Sequence, residues 1–166
     1  MSEERPRSQD IRAALGRFVT GVTVLTVLDA QGHLAGLTAN SFTSVSLDPP
    51  TVLVCVGCRT RSYDALVRCR RFAIHILGED QREAAAAFAT RGGERSGVCR
   101  WGANSRGYGV LRNALAVLEC RLAAEHPAGD HAIVVGAVEH FETAAASGVP
   151  LVCYGGKLFG LGGAAA

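Results

Sequence analysis

Apolar residues recur along most of this chain at the short spacing of β-strands. From Val22 to Leu28 and again from Thr51 to Val56 they form near-continuous runs bounded by turn residues. Strands are predicted at about 22–28, 33–38, 42–46 and 51–56, the first two joined by a turn over Asp29–Gly32. Asp48-Pro49-Pro50 ends the third, because proline has no N–H to give to a ladder. Further strands are expected at 72–77, 114–124 and 131–141, the last two separated by a turn over Glu125–Gly129. Another near Leu151–Tyr154 leads into Gly155–Phe159. Helical spacing is confined to three segments. Ser8 can cap a helix over Gln9–Phe18 with Ile11, Leu15 and Phe18 on one face. Arg61–Arg70 turns Leu66 and Val67 inward, and Gln81–Thr90 is rich in alanine, the best helix former. Arg91–Gly109, with its glycines, arginines, Trp101 and Tyr108, reads as a long functional loop. The pattern predicts a mainly β barrel or sandwich with a few peripheral helices, residues 9–162 as one domain after a flexible tail over 1–8.

Composition agrees with one globular unit. A chain of 166 residues buries roughly 68–70% of its unfolded surface. The apolar share of 48% is a slight surplus, of the kind that a subunit contact covers. A net charge of +2, without a basic run, does not suggest nucleic acid. MSEERPRSQD lacks the apolar core of a signal peptide, and no run reaches the ~20 apolar residues of a membrane helix, so a cytoplasmic protein with no membrane partner is expected. The six cysteines then read as reduced, buried small hydrophobes, and Cys55-x-x-Cys58 has no second pair to complete a zinc site.

Candidate chemistry gathers in three places. Thr38, Ala39, Asn40, Ser41, Phe42, Thr43 and Ser44 set hydroxyls, an amide and backbone N–H groups between apolar strands. They suit a flat polar heterocycle, or else a Ser/Thr-rich edge strand. After the strand ending Cys55-Val56-Gly57, the turn Arg59-Thr60-Arg61-Ser62 opens a helix. Free N–H groups, the helix dipole and arginines there suit a phosphate, or else Ser62 is a plain helix cap. Gly129-Asp130-His131 precedes a strand and can put His131 at a barrel mouth; with His126 it matches no known metal spacing. No G-x-G-x-x-G, complete phosphate loop, G-x-S-x-G or H-E-x-x-H occurs, so a nucleotide must be held by barrel loops.

The segments GRFVTGVTVLT (16–26), TANSFTSVSLDPP (38–50), TVLVCVG (51–57), LECRL (118–122), GDH (129–131) with IVVGAVE (133–139), and PLVCYGGKLFGL (150–161) together resemble the short-chain flavin reductase family. These are the reductase partners of two-component flavin monooxygenases. The resemblance covers about residues 10–161. It implies an antiparallel Greek-key FMN-binding split barrel that works as a homodimer. It also implies hydride transfer from NADH or NADPH to FAD or FMN, with reduced flavin passed to a monooxygenase. By the same resemblance Thr38–Ser44 and Cys55–Gly57 line the flavin, Arg59, Thr60 and Ser62 approach its phosphate, and His131 positions flavin and nicotinamide. Phe159 stands where the family has a nicotinamide-facing aromatic, and Glu94-Arg95-Ser96 replaces its D-K-F tripeptide. A flavin-binding barrel without reductase activity, for storage or sensing, is the alternative, since fold alone does not fix function.

Overall fold

The computed structural model describes residues 7–90, 100–144 and 148–161. Twelve strands and three helices are ordered α1 (Ser8–Leu15), β1 (Thr20–Gly21), β2 (Thr23–Leu28), β3 (Leu34–Ala39), β4 (Thr43–Leu47), β5 (Pro50–Gly57), α2 (Arg61–Cys69), β6 (Arg71–Ile76), α3 (Arg82–Ala89), β7 (Trp101–Ala103), β8 (Gly109–Leu111), β9 (Ala116–Ala128), β10 (His131–Thr143), β11 (Leu151–Tyr154) and β12 (Lys157–Gly160). Seven strands form one antiparallel sheet in the order β3-β2-β6-β9-β10-β5-β4. The sheet curls until β3 faces β5 again, which makes the predicted split barrel. The seam is not a ladder. Ser41, just past β3, bridges it with one hydroxyl, accepting from the Cys55 N–H at 3.0 Å and donating to the Cys55 carbonyl at 3.3 Å.

Alternation explains the core. On β5 Val52, Val54 and Val56 point inward, and on β10 Ala132 and Val134 do the same. They meet Leu25, Val27, Phe72, Ile74 and Leu122, while Leu66 of α2 plugs one end of the barrel. A second cluster joins Val22, Val24, Leu77, Phe88 and Leu151, packing α3 and the small β1-β11-β12 sheet on the outside. Thr38 ties α3 down by donating to the Ala85 carbonyl at 2.6 Å.

Several local expectations give way to tertiary contacts. The helix cap is Arg7, with no side-chain bond, so Ser8 lies inside α1. The apolar face of this segment is open on the protomer, with Ile11 44%, Leu15 70% and Phe18 76% exposed. The turn placed over 125–129 shrinks to Gly129-Asp130. Strand β9 runs on through Pro127 to Ala128, and Gly129 takes a φ of +64° that only glycine adopts easily. Part of the expected loop 91–109 is the β7–β8 hairpin, and Lys157–Gly160 is a strand rather than a tail. Of the five described cysteines, only Cys120 is buried, which pushes its thiol up to about 12; Cys55, Cys58, Cys69 and Cys153 are half-buried. Glu94-Arg95-Ser96 and Cys99 lie outside the described residues.

Candidate functional site

The site is built around the lower half of β5. Beyond Leu53 the β4 edge of β5 is no longer paired with β4, and Ser41 takes over at Cys55. Two residues on, Gly57 pairs with His131 of β10. A side chain on Gly57 would sit 3.5 Å from Thr60 Cγ2 and 3.7 Å from His131 Nε2, so the glycine leaves a flat surface between them. Cys58 N–H donates to the Asp130 carbonyl at 3.0 Å, which clamps the turn after β5 to the β9–β10 hairpin.

His131 is oriented from one side. Its Nδ1 lies 2.7 Å from Asp130 Oδ1, and this bond holds the carboxyl of Asp130 below its usual range, with Arg59 adding in the same sense. The other ring nitrogen, Nε2, lies beside the Gly57 surface. The imidazole is half exposed at the mouth.

Helix α2 starts at the same place. Thr60 is its N-cap and accepts from Tyr63 N–H at 3.1 Å, while its own hydroxyl donates to the Gly57 carbonyl at 2.9 Å. The cap is therefore Thr60, and Ser62 is free for something else. Ser62 is 5% exposed and its hydroxyl has no hydrogen-bond partner among the described residues. The N–H groups of Arg61 and Ser62 have no partner within the helix, as in any first turn. Arg59, Thr60, Arg61 and Ser62 line one end of a groove of about 900 Å³ between α2, β3 and the end of α3. Arg59 and Arg61 form no ion pair with any described residue. A helix N-terminus with a serine hydroxyl and two guanidiniums beside it fits an anion such as a phosphate.

The remaining candidates divide by orientation. Val56 and Ala39 turn their side chains into the core and can offer only backbone. Thr38 uses its hydroxyl on α3, and Phe42 packs against the main core from a half-buried position. Asn40, Thr43 and Ser44 are exposed, the last two on the edge strand β4, so they are not enclosed between buried strands as the pattern suggested. Phe159 is 44% exposed on β12, in the small sheet rather than beside His131. It shares a face with Val152, its cross-strand partner. The structure thus gathers Ser41, Cys55, Gly57, Arg59, Thr60, Ser62 and His131. Asp130 was visible in the sequence as a turn residue and, with His126, a poor candidate metal ligand, and its hold on His131 needed the geometry. The cap role of Thr60 could have been read from a threonine three residues before Tyr63.

Comparison with known proteins follows the same outline. Residues 15–162 match the model of the flavin reductase like domain. The chain is 44% identical over 153 residues to the FMN reductase (NADH) SmoA of Agrobacterium fabrum, covering 92% of this chain and 85% of that protein. It is 34% identical over 151 residues to HsaB of Mycobacterium tuberculosis, the reductase subunit of a flavin-dependent monooxygenase, covering 90% and 80%. Among solved structures, the NADH:FAD oxidoreductase SgcE6 of Streptomyces globisporus, in complex with NAD and FAD fragments, superposes with a TM-score of 0.88 at 34% identity over 98% and 99% of the chains. A longer relative from Rhizobium meliloti is 41% identical, and the chain spans only 45% of its length.

Proposed function

Because the chain belongs to the flavin reductase like family, we propose that it is an NAD(P)H-dependent flavin reductase. It transfers hydride from NADH or NADPH to FAD or FMN and supplies the reduced flavin to a separate monooxygenase. The observation that carries the reading is the run of the Ser41–Cys55 seam, Gly57 and the anchored His131 along β5 and β10, ending at the start of α2.

The division of labour follows from the residue chemistry. Flavin, when bound, supplies the ring that accepts the hydride and carries two electrons away. Asn40, Ser41, Thr43 and Ser44, with the Cys55–Gly57 backbone, hold the ring's polar edge. Arg59, Thr60, Arg61 and Ser62 hold its phosphate by charge-assisted and backbone hydrogen bonds. His131, fixed through Nδ1, positions flavin and nicotinamide by its outward face and moves no obligatory proton. Phe159 offers an exposed ring against which nicotinamide can stack. No nucleophile or metal is required, since orientation and exclusion of water supply the rate.

The protein acts as a cytoplasmic homodimer. The support is the exposed apolar set Ile11, Leu15, Phe18, Val19, Val45 and Leu47, too much for an isolated surface. Light scattering at micromolar concentration should give twice the chain mass; a monomer removes this part. Among the described residues no helix is long and apolar enough to cross a membrane.

Anaerobic mixing with free FAD or FMN and each nicotinamide, followed at the flavin absorbance band, tests the activity. Bleaching with turnover supports it. Flavin binding without bleaching by either nicotinamide would leave a binding protein only.

A further inference from the structure

The β7–β8 hairpin lies on the barrel without joining its ladder. Its two strands pair with each other, and among the described residues no backbone hydrogen bond runs from 101–111 to a barrel strand. Side chains do the holding. The Thr26 hydroxyl of β2 donates to the Gly109 carbonyl at 2.6 Å, and the His75 ring of β6 accepts from the Leu111 N–H at 3.0 Å. Glu119 of β9 accepts from Asn104 and Arg106, and Tyr108 sits between Arg71 and Glu139.

Of these attachments, the fully buried His75 is the one that a proton can release. The Val24 carbonyl at its Nδ1 can only accept and the Leu111 N–H at its Nε2 can only donate. The closed hairpin therefore requires a neutral ring with its proton on Nδ1. A second proton goes to Nε2 and sets N–H against N–H in a site without water to relieve it. Lifting β8 removes that conflict and lets water accept from Nε2. It also changes what Glu119 faces. His75 pairs with Val117 and Ala73 with Glu119, so His75 and Glu119 are diagonal neighbours on the face that the hairpin covers. When Arg106 leaves with the hairpin, that carboxylate is left to the imidazolium. The other charges around this face are Glu142 and His140 of β10, beyond Arg106, and Arg71 and Glu139 at Tyr108. Strand β2 brings none, and β8 meets the ring with backbone alone.

We propose that the hairpin is an acid-released strap: uptake of one proton from solvent at His75 Nε2 lifts Trp101–Leu111 from the barrel as a unit, and Glu119 exchanges Arg106 for the imidazolium. The barrel ladder, which takes no hydrogen bond from the hairpin's backbone, stays closed. Burial lowers His75 from 6.5 to about 4 in the closed form. The closed hairpin is thus fully favoured above about pH 6.5 and loses that advantage as pH falls toward 4. From about pH 7.5 to about pH 5 its opening constant should rise about 30-fold.

Native-state amide exchange of the purified full-length protein, corrected for the intrinsic pH dependence of exchange, reads that constant segment by segment. Peptides over 101–111 should be less protected than those over β5 and β10, and less sensitive to added urea, because less surface opens. Their protection should fall about 30-fold across that pH range. His75→Gln can still bond Val24 and Leu111 but cannot charge, and it should remove the pH dependence. Thr26→Val deletes a neutral attachment and should raise opening at every pH with the pH dependence intact, which keeps the test decisive if the first variant does not fold. Equal protection and equal urea dependence of hairpin and barrel would mean that the hairpin opens only with the whole fold, and would overturn the strap. Hairpin protection that is indifferent to pH, or a pH dependence that survives His75→Gln, overturns it as well.

Discussion

Two polar regions of this molecule use the same side-chain types to opposite ends. Under the β7–β8 hairpin, Glu119 is 2% exposed and takes both arms of Arg106, at 2.6 and 2.9 Å, together with the amide of Asn104. Arg106 continues to Glu142, and Arg71 stacks 4.4 Å from the Tyr108 ring centroid and donates to its hydroxyl, which in turn donates to Glu139. Arg121 completes the chain through Glu139. Every charge there has a neighbour, and the effect is to fasten a hairpin to the outside of the barrel. Around Gly57 the balance is reversed. Arg59, Arg61 and Ser62 make no side-chain hydrogen bond or close ion pair with a described residue, Arg59 acting on Asp130 only at longer range, and His131 is held through Nδ1 alone. A saturated polar cluster holds structure together, and an unsaturated one on a rigid frame is prepared for a ligand.

That contrast is breakable at both ends. The largest effect is expected at Glu119. Glu119→Ala removes the buried acceptor that Arg106 and Asn104 share and should cost about 3 kcal/mol, from lost charged hydrogen bonds of roughly 1.5–3 kcal/mol each, partly offset because Arg106 is part-exposed and keeps Glu142. Urea denaturation reads the loss. Flavin affinity of the folded fraction should stay the same, and a matching fall in affinity would mean that the two regions are coupled.

His75 gives the next largest effect, through pH. It is fully buried, with Nδ1 bonded to the Val24 carbonyl and Nε2 accepting from the Leu111 N–H, both at 3.0 Å, and burial lowers it to about 4. Below about pH 6.5 the unfolded chain takes up a proton that the folded chain refuses. Stability therefore falls as pH drops from 6.5 to about 4, by a total of about 3 kcal/mol. Denaturation midpoints across that range should show this slope, and a His75→Gln variant should flatten it.

In the open region the effects move to binding. Arg59→Ala should weaken FMN and FAD about 10- to 100-fold, from the loss of a charged hydrogen bond worth about 1.5–3 kcal/mol, with riboflavin nearly indifferent. Thermal stability should barely move, since Arg59 makes no close ion pair or hydrogen bond with a described residue and acts on the exposed Asp130 only at longer range. Equal weakening of riboflavin and FMN would make Arg59 a structural residue after all.

His131→Ala should give the smallest effect. Misplaced rings should slow stopped-flow reduction of bound flavin by a factor worth about 1–3 kcal/mol, while flavin affinity survives. Asp130→Asn should give a milder version, since it leaves the imidazole in place and weakens only its 2.7 Å anchor. An unchanged reduction rate in both variants would reduce His131 to a turn residue.

Much of this was legible from residue order, and the reason differs by element. β2 and β5 announced themselves because a strand buried on at least one face must place apolar side chains at its own period. Helix α3 followed from its alanines and α2 from a polar turn before an apolar stripe. Glu119 and His75 gave no signal, because each sits in an apolar strand and its partners lie elsewhere in the chain: Arg106 and Asn104 for one, Val24 and Leu111 for the other. The α1 face was legible as apolar, but periodicity does not say what it packs against, and on the protomer it is open.

The amino-acid sequence by itself determined the class of the protein: strand periods, proline and glycine stops, and the motif order from Gly16 to Leu161. Those are local properties, set by backbone sterics and by the need of each segment to bury one face. Only the tertiary structure decided which polar groups are satisfied. Ser41 closes the barrel on Cys55, Thr60 rather than Ser62 caps α2, and Asp130 anchors His131 through Nδ1. A hydrogen bond is local in space and indifferent to separation in sequence, so the same serine reads identically whether it staples a seam, as Ser41 does, or lines a groove at a helix start, as Ser62 does.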